Sequence, residues 1–363
     1  VKIMTILGTR PEIIRLSRII PLLDQYADGH VLVHTGQNFT ESLSDIFFKE
    51  LGVRSPDYVL QDKQASFGGQ IAAMFTQMEQ ILWKEQPDRI LLLGDTNSAL
   101  CAILAERMGI EVVHMEAGNR CFDLNVPEEK NRKIIDAISS INMPYTSQSK
   151  KHLEAEGIHS SRIVLTGNPI YEVMQFYEEQ ITSRMILEQL GLEERSYYLV
   201  TVHRSENVDH PHSLAEIMKG LNLVAEQSGR RLICSIHPRT RSKLADHEQL
   251  QMHPLVEFYE PFGFFDFVKL ERHAEMTLSD SGTVQEECCI MHVPTVTIRN
   301  TTERPETVDC GSNIVSGIDA ASIARACLVM SKMDKNWEVP TGYLTANVSE
   351  TVVKFLLGGK RHV

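Results

Sequence analysis

Short apolar runs alternate with longer stretches in which apolar residues recur every three to four positions, from one end of the chain to the other. The short runs predict strands at Lys2–Leu7, His30–His34, Arg89–Leu93, Val112–Met115 and Arg162–Leu165 in the first half. Helical periodicity predicts Ile13–Gln25, Phe67–Glu85 and Ser98–Met108 between them. The rhythm restarts in the second half, with strands expected at Tyr197–Val202, Leu232–Ile236, Val256–Tyr259, Met276–Leu278 and Thr295–Ile298. Helices are expected there at Leu214–Glu226, Phe267–His273, Val284–Met291 and Ala320–Met333. Strand and helix alternating at this spacing predict parallel sheets covered by helices on both faces. Asn168-Pro169 favours a turn, so the expected division is an N-terminal domain at 1–168 and a C-terminal domain at 169–345. An amphipathic helix in 346–363 could pack back on either domain, with the N-terminal domain as the first candidate.

A length of 363 residues with 42% hydrophobic content suits two packed α/β domains. The net charge of −12 disfavours nucleic acid or an anionic membrane as partner, so an anionic ligand needs a local basic pocket. Seven cysteines, none spaced Cys-x-x-Cys, form neither a disulfide framework nor a zinc pattern and point to a reducing, cytoplasmic setting. The apolar start is too short for a signal h-region, and no apolar run is long enough to span a bilayer.

In doubly wound sheets ligands bind beyond the carboxyl ends of the strands, and the chemically suggestive residues follow the expected strands. Gly8-Thr9-Arg10-Pro11-Glu12 combines a tight turn with an arginine at a helix start, an anion site in the making or a capped loop. Gly94-Asp95-Thr96 puts a carboxylate where an N-cap would also fit. Glu116-Ala117-Gly118-Asn119-Arg120 and then Glu128 and Arg132, one helical turn apart, mix acids and arginines beyond what one surface ion pair explains. His203-Arg204 and His237-Pro238-Arg239 suggest a phosphate clamp, and neither histidine shows metal-ligand spacing. Ser279-Asp280-Ser281-Gly282-Thr283 opens a helix and suits a pyrophosphate, with Glu287 one turn on to accept from ribose and Asp280 able to brace the turn. Thr301-Thr302-Glu303-Arg304 follows another strand. The dinucleotide fingerprint Gly-x-Gly-x-x-Gly is absent, which disfavours a nicotinamide enzyme.

Together and in this order, the motifs resemble the non-hydrolysing UDP-N-acetylglucosamine 2-epimerase family. The resemblance implies two Rossmann-like doubly wound domains facing across a cleft, as in glycosyltransferase-B folds, and a homodimer. It places acidic active-site residues on Asp95, Glu116 and Glu128 and the cleft histidine on His203. UDP and substrate contacts fall on Arg10, Arg132, His237, Phe267, Ser281, Gly282, Glu287 and Arg304. Arg15 stands where the family has a lysine, and Thr283 where it has the second glycine of the phosphate turn. The Met115–Asp123 form, with Pro261–Asp266 and Ser279–Thr283, is similar to the branch that converts UDP-2-acetamido-2,6-dideoxy-L-talose to UDP-N-acetyl-L-fucosamine for bacterial capsule or O-antigen.

A C2 proton beside an acetamido group is not acidic. The family route eliminates UDP across C1–C2 to a 2-acetamidoglycal and re-adds it with the opposite C2 configuration. That chemistry needs a base and an acid on two faces and stabilisation of the leaving pyrophosphate, but no metal or other cofactor. The readings that compete are a UDP-N-acetylglucosamine 2-epimerase, a glycosyltransferase of the same architecture, a hydrolysing epimerase that releases UDP, and a nucleotide-sugar sensor.

Overall fold

The computed structural model describes residues 1–37, 47–61, 64, 66–236, 238–245 and 251–358. The chain divides into two compact units, one of residues 1–175 with 341–363 and one of residues 176–340. The division therefore differs from boundaries at 168 and 345. The helix Ile170–Phe176 begins inside the first unit, where Glu172 accepts from the backbone N–H of Ser349 at 2.8 Å and from its hydroxyl. Asn168 N–H donates to Gly342 O at 2.8 Å, which fixes the returning strand of chain there. The last helix, Val348–Gly358, packs on the helix Ile19–Tyr26, and Arg89 caps it by donating to Phe355 O and Leu356 O at 2.9 and 2.7 Å.

The first unit holds a six-stranded sheet ordered β3-β2-β1-β4-β5-β6. Its strands are β1 Lys2–Leu7, β2 Gly29–His34, β3 Tyr58–Val59, β4 Arg89–Leu93, β5 Glu111–Met115 and β6 Ile141–Met143. All neighbours pair in parallel, with Leu93 opposite Met115 at the carboxyl ends of β4 and β5. The central strands are buried on both faces, as β1 (Ile3, Met4, Ile6, Leu7) and β4 (Ile90, Leu91, Leu92) show. The helix Phe67–Glu85 buries Met74, Met78, Ile81 and Leu82 against one face, a stripe at helical spacing.

The second unit repeats the plan with β7 Tyr197–Thr201, β8 Arg231–Ser235, β9 Val256–Tyr259, β10 Met276–Ser279, β11 Thr295–Thr297 and β12 Asn313–Val315. Its order, β12-β11-β10-β7-β8-β9, is the first sheet's order counted from β7. Each sheet therefore reverses direction at its first strand, between β1 and β4 and between β7 and β10. Those are the switch points where a doubly wound sheet opens a crevice. The expectation of two Rossmann-like parallel-sheet domains holds.

Three expected elements differ. Ile13–Gln25 is two helices, Arg10–Leu16 and Ile19–Tyr26, because Pro21 has no N–H for the Ser17 carbonyl and its ring would clash there. Ser98–Met108 starts as a 3₁₀ turn at Asn97–Leu100 before the helix Cys101–Arg107. Arg162–Leu165 makes only an isolated bridge, Asn142 to Ile163, and the sixth strand is the shorter β6. Among the described residues no helix is long and apolar enough to cross a membrane.

Candidate active site

In the first unit, the loop after β1 is built around a buried carboxylate. Glu12 accepts from Gly8 N–H at 2.7 Å, Thr9 N–H at 2.6 Å, the Thr9 hydroxyl at 2.9 Å and, from the loop after β4, the Thr96 hydroxyl at 2.9 Å. Burial pushes this carboxyl up to about 7 against the pull of its donors. Gly8 has no room for a side chain, since a Cβ there would lie 2.1 Å from Ser98 Oγ and 2.3 Å from Thr35 Oγ1. Arg10 follows, its guanidinium 5.3 Å from the Phe47 ring centroid, and burial lowers its pKa.

Two carboxylates stand at the carboxyl ends of β4 and β5, each held by a buried arginine. Asp95 pairs with Arg132, which also donates to Glu129 at 2.9 Å. Asn131 fixes the same loop by donating to Asp95 O at 2.9 Å. Glu116 pairs with Arg15, which is 1% exposed and lies 5.6 Å from the Tyr145 ring centroid. Arg15 thus holds a carboxylate instead of presenting a solvent-facing charge. Glu116 sits at φ 63°, a strained conformation for a residue with a Cβ, and such strain concentrates where a side chain must be aimed. Glu128 is half-buried in the first turn of the helix Pro127–Ile138, where the dipole favours its charge.

Beneath these lies a buried scaffold. His114 Nδ1 contacts Asp136 at 2.8 Å and Nε2 contacts Gly94 O at 2.7 Å. Burial opposes a charge on His114, but Asp136 and the Gly94 carbonyl outweigh it and raise the pKa. Both ring nitrogens then donate, and the Gly94-Asp95 turn is fixed from below. Asp136 also pairs with Arg120 at 2.8 Å, and Arg120 with Glu156 at 2.6 Å. Glu129, fully buried, accepts from the N–H groups of Cys121 and Phe122 at 3.0 and 3.1 Å. It thereby shapes the loop after β5, in which Phe122 is exposed at φ 58°.

In the second unit, Asp280 does the bracing. It accepts from the N–H groups of His203 and Arg204 and from Asn207 Nδ2, at 3.1, 3.0 and 3.0 Å. The loop after β7 is thus tied to the loop after β10. The His203 imidazole stays largely exposed, with Nδ1 3.4 Å from Asp280. Ser281 occupies the N-cap position of the helix Gly282–Ile290 without a side-chain capping bond, and Thr283 lies in its first turn. At Gly282 a Cβ would meet Glu303 Oε1 at 2.5 Å, so the backbone there packs directly on the loop after β11. Glu303 is clamped by Arg299 at 2.7 Å and Arg204 at 3.1 Å, and Arg304 pairs with Glu286 at 2.5 Å. Glu287 is buried beside Glu271 of the helix Phe264–His273; burial and this like-charge neighbour raise the Glu271 carboxyl well above 4.5. Phe267 packs in the apolar cluster around Val284 and Leu270. His237 lies outside the described residues.

The structure therefore brings Arg10, Arg15, Asp95, Glu116, Glu128 and Arg132 to the switch-point loops and the next helix of the first unit. His203, Ser281, Gly282, Thr283 and Arg304 are joined in the second unit through Asp280, Glu303 and Glu286. The sequence reading missed Glu129, Glu286, Glu303, Glu271 and the bracing role of Glu12. Glu286 and Glu271 meet their partners across other elements, so local pattern carries no signal for them, whereas Glu12 and Glu303 have partners within four positions and Thr9-x-x-Glu12 is a readable capping box.

A model of the UDP-N-acetylglucosamine 2-epimerase family matches residues 23–357. The UDP-N-acetylglucosamine 2-epimerase of Methanocaldococcus jannaschii is 38% identical over 99% of this chain and all of its own length. A crystal structure of that enzyme with UDP-GlcNAc and UDP superposes with a TM-score of 0.93, covering 99% of this chain and 100% of the other. The UDP-2,3-diacetamido-2,3-dideoxy-D-glucuronate 2-epimerase of Pseudomonas aeruginosa is 33% identical over 97% of this chain and 99% of its own. The lipopolysaccharide glycosyltransferase WaaG, 12% identical, shares the fold over 99% of this chain and 100% of its own, with a TM-score of 0.62.

Proposed function

The chain belongs to the UDP-N-acetylglucosamine 2-epimerase family, and from that premise we propose how its own residues carry the reaction and on which sugar. It is an isomerase that epimerises a UDP-sugar. The observation that carries the residue assignment is the pair Asp95 and Glu116, on neighbouring strand ends in register, each with its own arginine. An arginine partner fixes a carboxylate's direction, which a base that must reach one C–H needs. With Glu128, these groups are the proton carriers. One takes the C2 proton as the C1–O bond breaks and UDP leaves with the bonding pair. A phosphate oxygen of UDP then re-adds to C1 of the 2-acetamidoglycal while a proton reaches C2 from the other face. His203, Arg10, Ser281, Gly282 and Thr283 stabilise the leaving pyrophosphate with N–H groups and positive charge. Glu287 takes the ribose hydroxyls, and Arg132 and Arg304 act by holding Asp95 and Glu286. Asp95→Asn should then lower turnover about 100- to 10,000-fold, the range of a lost general base, with UDP affinity kept. Lost UDP binding would instead make Asp95 a binding residue.

The sugar we propose is UDP-2-acetamido-2,6-dideoxy-L-talose, converted to UDP-N-acetyl-L-fucosamine for a bacterial surface polysaccharide. The support is the loop after β5, where Cys121 is followed by an exposed Phe122 that offers an apolar face suited to a C6 methyl. UDP-N-acetylglucosamine is the second reading, favoured by the identity to the M. jannaschii enzyme. Incubation with each sugar in turn, followed by separation of the C2 epimers, decides between them. Turnover of the glucosamine substrate alone would overturn the 6-deoxy reading. We also propose a homodimer, for which a monomeric mass by light scattering would be the contrary result.

A further inference from the structure

Cys289 and Cys310 are far apart in sequence and meet in the second unit with their sulfurs 3.7 Å apart. Cys289 lies in the last turn of the helix Gly282–Ile290 and is fully buried, while Cys310 ends the helix Pro305–Asp309 and is partly exposed. Cys310 Sγ has two further oxygens nearby, Thr307 O at 3.5 Å and Ser312 Oγ at 3.4 Å. The Ser312 hydroxyl donates to Thr307 O at 3.0 Å, so the Cys310 S–H has local acceptors and Cys289 is placed to donate towards the Cys310 sulfur. That hydrogen bond draws the Cys310 thiol down to about 6 and pushes Cys289 up. The two thiols thus differ in kind: one is accessible and nucleophilic, the other shielded and adjacent.

We propose that Cys289 and Cys310 are a peroxide-oxidisable dithiol that closes to a disulfide. The Cys310 thiolate attacks a peroxide oxygen, the O–O bond breaks, and a sulfenic acid and water form. The Cys289 sulfur then attacks the sulfenyl sulfur, losing its proton as hydroxide leaves to become water. Two thiols and one hydrogen peroxide give one disulfide and two waters. Closure brings the sulfurs from 3.7 Å to about 2 Å.

The bridge would join two segments that carry the proposed nucleotide site. One begins at Gly282 and holds Glu286; the other begins just after Arg304, which pairs with Glu286. Gln285 accepts from Thr302 at 2.6 Å and Asn313 at 3.1 Å, so movement of one segment is passed to the other. On the UDP-sugar reading given above, oxidation shifts Arg304 and slows epimerisation.

The test treats the full-length reduced protein with stoichiometric hydrogen peroxide and reads intact mass, then maps peptides after alkylation. The expected result is a loss of two hydrogens, a Cys289–Cys310 linked peptide, and return of both thiols with dithiothreitol. Cys310→Ser should abolish the linked peptide. Cys289→Ala should leave Cys310 to accumulate as sulfenic acid, trappable with dimedone, which keeps the test open if one variant folds poorly. A Cys310 that goes to sulfinic acid while Cys289 stays alkylatable overturns the proposal, as does a pair that survives peroxide unchanged. Because the linkage is read by mass, it stands or falls apart from the epimerase reading. Peroxide-treated protein that is linked but turns over at the untreated rate would overturn the coupling to Arg304 alone.

Discussion

Replacing Gly282 by alanine would put a methyl carbon 2.5 Å from Glu303 Oε1 and 3.4 Å from Arg304 Cζ. The first of these contacts must give way. Glu303 is 2% exposed and held by two arginines, Arg299 at 2.7 Å and Arg204 at 3.1 Å, so it has no solvent to swing into. Either the two ion pairs lengthen or the start of the helix Gly282–Ile290 lifts from the loop after β11. Overpacking of this kind costs about 1–3 kcal/mol. If the helix start moves, the N–H groups assigned to the pyrophosphate move with it. The same energy then appears as roughly 5- to 150-fold weaker UDP binding, at about 1.4 kcal/mol per tenfold. Titration calorimetry with UDP reads the affinity, and thermal unfolding reads any part of the strain left in the fold. UDP affinity within twofold of the parent protein, together with an unchanged Tm, would refute the packing argument and the placement of the pyrophosphate.

Glu12→Gln should lower stability by about 1–3 kcal/mol, because the amide offers N–H groups to a site that already supplies four donors; urea unfolding measures it. Arg132→Met leaves both Asp95 and buried Glu129 without this countercharge, and should cost about 3–5 kcal/mol or unfold the first unit, as read by circular dichroism melting. The raised Glu271 carboxyl sets a pH dependence. The native state keeps a proton that the unfolded chain releases above 4.5, so this contribution to stability is full below that pH and is lost as pH rises through the raised native value. Glu271→Gln should flatten that fall in unfolding experiments across neutral pH, and an unchanged slope would refute the raised Glu271 carboxyl beside Glu287. Glu156 runs the other way. Arg120, against the cost of burial and with help from Lys133, holds it down to about 2, so its contribution is present above the usual carboxylate range and is lost as pH falls through that value. Glu156→Gln should make acid unfolding begin at higher pH.

Long regular elements were legible in the sequence. β1 and the helix Phe67–Glu85 have the expected bounds because six apolar-rich residues, or nineteen with one buried stripe, repeat the pattern often enough to fix it. β3 and β12, two and three residues long, carry too few positions for any period, and β6 is hidden next to Pro144. The strand-end loops were legible because glycine, proline and small polar residues follow apolar runs there. Asp280 was legible as able to brace its turn, but the partners that brace these loops were not. Asp280 reaches His203 across 77 positions, Arg204 reaches Glu303 across 99 and Thr96 reaches Glu12 across 84, so each contact exists only once the parallel sheet has aligned the strand ends. Glu129 was hidden for a related reason. In the sequence it reads as one more charge at a helix start, whereas its burial is set by the turn at Cys121 and Phe122 folding over it.

Proton NMR in D2O with UDP-N-acetyl-L-fucosamine tests the central claim most directly. Removal of the C2 proton by an enzyme carboxylate predicts that the C2–H signal is lost as the C2 epimer appears, with deuterium at C2 in both epimers and no net release of UDP at equilibrium. Epimer formed with its C2 proton retained, or no exchange with this sugar or with UDP-N-acetylglucosamine under conditions where UDP binds, would contradict it.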